Sequence, residues 1–272
     1  MKRILEAAQL QRDELVLEVG PGTGALSIRI LASGAKLVAV EIDHDLKPIL
    51  EAQLAIGSAE AANHSRATLV IDDVLASKHE INPSVFTALQ MLAGSAAPPF
   101  KLVANLPYNV ASPLIANLLL APYGSKKDAD SATPIETPIE VKPAPRMTMA
   151  IVLIQREVAD RLTAPHGGKD YGPLGILVQA MCEVDRVATL PPGCFWPSPK
   201  VDSAVVRLRV RETPLTKNPH RLSHLLHTLF SKRRKQLGSI LGRATVLPEG
   251  IDANQRPEQL SVEQLCLLAE AV

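Results

Sequence analysis

The chain has 272 residues, 46% of them hydrophobic and 21% charged, with a formal net charge of +1. That length suits one large domain, or one large and one small, with a sizeable core. No apolar run is long enough to cross a bilayer as a helix, and the opening MKRILEAAQLQRDE is interrupted by charge before the apolar centre of a signal peptide can form. Cys182, Cys194 and Cys266 lie far apart, have no metal-ligand spacing and cannot all pair within one chain. A reducing cytoplasm is therefore expected.

Taken in chain order, the first half alternates short apolar runs with helical patterns. LVLEV (15–19), LVAVEI (37–42), TLVID (68–72), KLVAN (101–105) and MAIVLIQ (149–155) read as strands whose near-continuous apolarity fits burial on both faces. Residues 24–33, 44–56 and 111–120 read as helices between them, and MKRILEAA as the first helix. This alternation predicts an α/β fold with a parallel, doubly wound sheet and right-handed crossovers. Further strands are expected at 186–190 and 204–210, followed by helical patterns in RLSHLLHTLFSKRRKQLGSIL and SVEQLCLLAEA. The expected organisation is a catalytic domain over 1–212 and a small helical domain over 213–272. Residues 123–146, rich in Pro, Thr, Ser and charge, read as a mobile insertion. No internal repeat is evident.

The near-neutral total hides an asymmetry. Between Lys200 and Arg243 stand Arg207, Arg209, Arg211, Lys217, Arg221, Lys232, Arg233, Arg234, Lys235 and Arg243, against only Asp202 and Glu212. A solvated face explains a single basic run, but clustering on this scale points to a polyanionic partner, with nucleic acid first.

The loop LEVGPGTGALS (17–27) joins the first strand to the first crossover helix. Gly20, Gly22 and Gly24 let the backbone turn sharply and approach a ligand. Glu41, at the end of the second strand, is placed to accept hydrogen bonds from ribose hydroxyls, with Ile42 beside it. Asp73 and Val74 follow the third strand, where Asp73 can meet an adenine amino group. Gly20, Gly22 and Ala25 also satisfy the dinucleotide fingerprint. Glu18 argues against that reading, because a carboxylate there repels a pyrophosphate and favours the sulfonium and ammonium of S-adenosylmethionine. The fourth strand ends in Asn105-Leu106-Pro107-Tyr108. Asn105 and the Leu106 carbonyl can accept hydrogen bonds from an exocyclic amine, Pro107 stiffens the turn, and Tyr108 offers a face for a base out of its stack. In FWPSPK, Phe195 or Trp196 is placed to close the other side of a base sandwich, or else to anchor packing.

With these residues assembled, the chain resembles the small-subunit (16S) ribosomal RNA adenine N6,N6-dimethyltransferases. The resemblance spans nearly the whole length and is carried by VLEVGPGTGALS, VEID, DDVL, NLPYNVASPLI, QREVADRL, KDYGPLGILVQ, FWPSPKVDSAVVRL and SKRRKQLGSIL. It implies a class I, Rossmann-like methyltransferase sheet with a small helical C-terminal domain and S-adenosyl-L-methionine as cofactor. It also implies methyl transfer to N6 of two adjacent adenines in the 3′-terminal hairpin loop, late in subunit assembly. The expected partner is the small ribosomal subunit with its 16S rRNA, met by a monomer through Lys200, Arg207, Lys232, Arg233, Arg234 and Lys235, with no membrane and no metal. The family usually has a Gly-Gln-Asn/His-Phe-Leu segment before the first helix, and this chain starts inside that helix. Its absence makes a weakly active or non-catalytic assembly protein of the same fold the alternative expectation. A dinucleotide oxidoreductase is the third.

Overall fold

The protein is described here from a computed structural model, which covers residues 1–58, 66–107, 109–124, 144–195, 199–242 and 244–272. The chain forms two compact units. The first comprises residues 1–122, 142–156 and 185–209; the second comprises 123–141, 157–184 and 210–272.

The first unit is built on a seven-stranded sheet. Its strands are β1 (Leu15–Val19), β2 (Lys36–Glu41), β3 (Ala67–Ile71), β6 (Pro99–Asn105), β7 (Arg146–Gln155), β8 (Cys182–Leu190) and β9 (Ser203–Val210). A small antiparallel hairpin of β4 (Leu75–Ser77) and β5 (Glu80–Ile81) stands apart. The order across the sheet is β3-β2-β1-β6-β7-β9-β8. β1, β2, β3, β6 and β7 pair in parallel, and β9 runs antiparallel to β7. The helices are α1 (Lys2–Ala8), α2 (Ser27–Ala32), α3 (Lys47–Ser58), α4 (Pro83–Ala93) and α5 (Ala111–Leu120). The strand order reverses between β1 and β6, and in such sheets ligands bind beyond the carboxyl ends of the strands at that reversal.

All of β1 and the centre of β6, Phe100–Ala104, are buried. One member of that buried stretch is a lysine. Lys101 is 9% exposed; its ammonium pairs with Glu14 at 2.9 Å and donates to the carbonyl of Ala8 at 2.9 Å. Helix α1 ends at Gln9 in the left-handed conformation (φ 46°), leaving terminal carbonyls that a cation satisfies. The charge in the middle of the fourth parallel strand thus ties down the N-terminal helix. Lys36 does the same for α4, donating to Leu92 O at 3.3 Å. Two of the motifs that carry the resemblance meet where Arg156 pairs with Asp202 at 3.1 Å, beside the Gln155–Ser203 register of β7 and β9.

In the second unit the helices are α6 (Arg156–Leu162, in this unit from Glu157), α7 (Pro173–Met181), α8 (Pro219–Ser231), α9 (Leu237–Leu241) and α10 (Val262–Ala271). Their core includes Leu222, Leu226, Leu229, Leu265 and Leu268. Tyr171, 1% exposed, donates from its hydroxyl to Leu260 O at 3.0 Å and meets the Phe230 ring edge-on. Gly175 sits where α7 crosses the end of α6, and a Cβ there would lie 2.2 Å from the Arg161 carbonyl oxygen.

The five parallel strands match the sequence reading to within a few residues. The helix α4, the β4–β5 hairpin and the helices over 156–181 were not anticipated. The division also differs in form from a single cut at 212/213, because residues 157–184 group with those after 210. Most of the 123–146 segment, residues 125–143, lies outside the described residues. Cys182 and Cys266 are buried free thiols, and burial pushes both up to about 12.

Two substitutions test this framework in denaturant unfolding. Lys101→Met should lower stability by about 1–3 kcal/mol, since it strips buried carbonyls and Glu14 of their partner. Gly175→Ala should cost about 3 kcal/mol, the upper end for overpacking, while Gly172→Ala, where nothing lies within 4 Å of an added Cβ, costs far less.

Candidate active site

The carboxyl ends of β1, β2, β3 and β6 lie side by side and deliver Gly20, Glu41, Asp73 and Asn105 to one edge of the sheet. After β1 the chain turns through Gly20 (φ 69°), Gly22 (φ 58°) and Gly24 (φ 82°), a backbone region that side chains disfavour. Gly20 N donates to Val40 O at 2.9 Å, which fastens the start of the loop to β2. A Cβ on Gly20 would meet the Pro107 ring at 3.3 Å and Asn105 O at 4.0 Å, whereas at Gly22 it would meet nothing within 4 Å. The glycine loop therefore touches the turn after β6 at one end and stands open in its middle.

Glu41 is 7% exposed, and backbone amides hold its carboxylate. Gly22 N donates to one oxygen at 3.1 Å; Ile42 N and Asp43 N donate to the other at 3.0 and 3.1 Å. Three of its roughly four acceptor positions are thereby used. One carboxylate shapes both the glycine loop and the turn after β2, a role that the spacing alone did not reveal. Beside it Ile42 is 63% exposed, an apolar side chain left on the surface at the sheet edge.

Glu18 is 1% exposed beneath the loop and accepts a hydrogen bond from the Ser27 hydroxyl at 2.6 Å. Burial is the main reason its carboxyl is pushed up to about 7; the Ser27 bond opposes the shift and the nearby Glu41 charge adds to it. Ser27 escaped the sequence reading. Its only signal was a hydroxyl placed nine residues after Glu18, at the start of α2.

Beyond β3, Asp72 N donates to Glu41 O at 2.9 Å, and exposed Asp73 accepts from Leu75 N through its side chain at 2.9 Å. Val74 is buried, and its carbonyl accepts from Asn82 N at 2.9 Å. At the end of β6, Asn105 and Pro107 are exposed while Leu106, 2% exposed, donates its N–H to Leu153 O at 3.1 Å. Pro107 O accepts from Val110 N and Ala111 N at 3.1 and 3.2 Å and so starts α5. The turn is anchored behind by Leu106 and ahead by α5, with Asn105 left at the surface. Tyr108 and Trp196 lie outside the described residues.

Glu18, Gly20, Gly22, Gly24, Glu41, Ile42, Asp73, Val74, Asn105, Leu106 and Pro107 thus share the carboxyl edge of one sheet. Phe195 is half-buried and packs against the core cluster that contains Ile4, Leu26, Leu37 and Val205. The expected RNA-contacting residues divide between the two units. Lys200 and Arg207 belong to the first unit and Lys232–Lys235 to the second. The Arg207 guanidinium lies on Asp185 at 2.9 and 3.2 Å. Arg233 donates to Gly168 O and Lys169 O, both at 2.9 Å, and holds a turn of its own unit. Lys200, Lys232, Arg234 and Lys235 are exposed.

Among the described residues no three His, Cys, Asp or Glu side chains are grouped to hold a metal ion. No described helix is long and apolar enough to cross a membrane.

A family model described as ribosomal RNA adenine dimethylase matches residues 1–272. The chain is 36% identical over 281 residues to ribosomal RNA small subunit methyltransferase A of Thermosynechococcus vestitus, covering 100% of this chain and 91% of that protein. It is 33% identical over 280 residues to the protein of the same name from Clostridium perfringens, covering 99% and 84%. Among solved structures, a dimethyladenosine transferase from Plasmodium falciparum superposes with a TM-score of 0.67 at 23% identity, covering 99% of this chain and 94% of that one. The 23S rRNA methyltransferase ErmE superposes with a TM-score of 0.60 at 25% identity, covering 99% and 95%. A Rossmann-like sheet with its glycine loop against an Asn-Leu-Pro turn, matched end to end by these relatives, places the chain in the ribosomal RNA adenine dimethylase family.

Proposed function

We propose that the protein transfers methyl groups from S-adenosylmethionine to N6 of two adjacent adenines in the 3′-terminal hairpin loop of small-subunit rRNA. It would act as a monomer on a late assembly particle in the cytoplasm. The observation that carries this reading is the contact between Gly20 and Pro107, because it makes a nucleoside-holding loop and an amine-accepting turn neighbours. The curated relatives named for the small subunit are 33–36% identical, against 25% for the 23S enzyme, which favours a small-subunit acceptor.

The residues present fit the methyl donor. Open space at Gly22 admits a ligand against the backbone, Glu41 retains acceptor capacity for a ribose hydroxyl, Ile42 offers an apolar surface to a purine face, and Asp73 an acceptor for its amine. S-adenosylmethionine supplies, when bound, an electrophilic methyl group on a sulfonium. Everything else falls to the protein. An adenine N6 lone pair is delocalised into the ring, so the amine is a poor nucleophile. The Asn105 side-chain oxygen and the Leu106 carbonyl accept its hydrogens and favour a pyramidal nitrogen whose lone pair points away from them. Pro107 holds those acceptors at a fixed angle. Fixed dipoles facing the positive charge that grows on nitrogen, together with alignment, supply the rate; no strong base is needed, because the cationic methylated amine readily gives up its N–H proton to water. Glu18, beneath the loop, favours a cationic ligand when ionised.

Incubation with unmethylated small subunits, followed by mass spectrometry of rRNA nucleosides, should yield N6,N6-dimethyladenosine; unchanged nucleosides would defeat the reading. Asn105→Ala should cut transfer by about 10²–10³-fold while calorimetry finds donor binding intact; full activity would remove the acceptor role. S-adenosylmethionine, and not NAD, should raise the melting temperature.

Glu18 makes a pH prediction. Its folded pKa, about 7, lies above the ordinary 4.5. Between those values the unfolded chain has lost the proton and the folded one keeps it, so stability should fall as pH rises from 4.5 to 7 and then level off. The slope is about 1.4 kcal/mol per pH unit. Glu18→Gln should abolish this component of the stability profile in denaturant titrations.

A further inference from the structure

We infer that the first unit carries a second nucleic-acid contact, an arginine-lined cleft between α1 and strands β8 and β9 that receives the phosphate backbone of the RNA. The inference rests on the proposed rRNA substrate for the class of polyanion and on the structure for the place. Arg3, Glu6 and Ala7 of α1, Asp185, Arg186 and Val187 of β8 and Arg207 of β9 line a cleft of about 380 Å³. Arg209 joins them, 3.3 Å from Asp185, and Lys2 lies 3.9 Å from Glu6. Lys2, Arg3, Arg186, Arg207 and Arg209 thus stand in or beside a cleft whose lining includes Glu6 and Asp185.

Sequence order hid this group. Arg207 and Arg209 read as part of one basic run extending to Arg243, whereas their basic neighbours in space, Lys2, Arg3 and Arg186, are distant in sequence.

The chemistry fits phosphate. Four of the five cations are arginines, whose planar donor forks match phosphate oxygens. Asp185 orients rather than cancels them. It takes two donors of Arg207, at 2.9 and 3.2 Å, out of the five that a guanidinium carries. Arg207 is thereby held in place before any ligand arrives, and its side chain remains 24% exposed. Val187 packs against the core cluster that also contains Ala7, so the floor is rigid. The cleft is open and drawn from three elements. That suits several successive phosphates of a chain, engaged in a way that positions RNA and carries no sequence information.

The test is binding of the Arg3→Glu/Arg186→Glu variant of the 272-residue chain to protein-free small-subunit rRNA and to unmethylated small subunits over a range of salt. Affinity for both should fall about tenfold at low salt, and the slope of log affinity against log salt should shrink by about one for each phosphate no longer neutralised. Donor binding by calorimetry should match the parent, and Arg3→Lys/Arg186→Lys should retain most of the affinity. Should the glutamate variant fail to fold, Arg3→Gln/Arg186→Gln is read the same way. Unchanged affinity and slope would overturn the inference. So would a loss confined to intact subunits with protein-free rRNA bound as before, which would assign the cleft to a protein partner. If the parent failed to methylate subunits but the glutamate variant still lost RNA affinity, the catalytic reading would fall and the cleft would stand.

Discussion

Two turns share a space in which one more methyl group would be a tight fit. Where the chain leaves β1 it must bend under the turn that leaves β6, and the Pro107 ring lies 3.3 Å from where a side chain on Gly20 would begin. Glycine is favoured there twice over, by the close approach and by a φ of 69°. The parallel pairing of β1 with β6 at the point where the strand order reverses brings the two turns together. The rest of the site is arranged around this contact. Leu106 pins the β6 turn to β7, α5 begins from Pro107, and Asn105 is left as the polar group facing out.

The carboxylates beneath and beside the loop divide the electrostatic work. Glu41 is bound by three backbone N–H groups, and a carboxylate so held organises the loop whatever else it contacts. Glu18 has one hydroxyl partner and almost no solvent, so its charge is costly and its proton is retained near neutrality. A cation above the loop lowers that cost. An uncharged or anionic ligand does not, and a pyrophosphate raises it. On the proposed function, burial of Glu18 would add to the preference for a sulfonium donor over a dinucleotide.

The sheet and most of its carboxyl edge were legible in the sequence because both follow from local patterns. Runs such as LVLEV and KLVAN are apolar on both faces, and the glycine loop, Glu41, Asp73 and Asn105 each directly follow or end one of them. What was not legible depends on partners distant in the chain. Lys101 reads as a charge at the start of an apolar run, and only the placement of α1 shows that it serves the carbonyl of Ala8. Ser27 reads as an ordinary helix-start hydroxyl until Glu18 is seen beneath it. The helix α4 has a clear start in Asn82-Pro83 but was overlooked beside stronger strand signals. The basic stretch after Lys200 is continuous in sequence, while its residues divide between two units.

Half of the motifs that make the chain recognisable, from QREVADRL onward, hold none of the residues gathered at the sheet edge. In KDYGPLGILVQ, Tyr171 donates to Leu260 and Gly175 makes room for the Arg161 carbonyl. In SKRRK, Arg233 is tied to the 168–169 turn, so two of these segments fasten each other within the second unit. QREVADRL and PSPKVDS are joined by Arg156 and Asp202 in the first. Each is a place where one side chain closes a turn or a strand end that packing alone leaves open, and a close steric or hydrogen-bonding fit tolerates few substitutes. Such segments identify the scaffold. On the proposed function, the reaction would depend on a shorter set at the sheet edge, where the demands are a bare backbone, a stiff turn and acceptors that face outward.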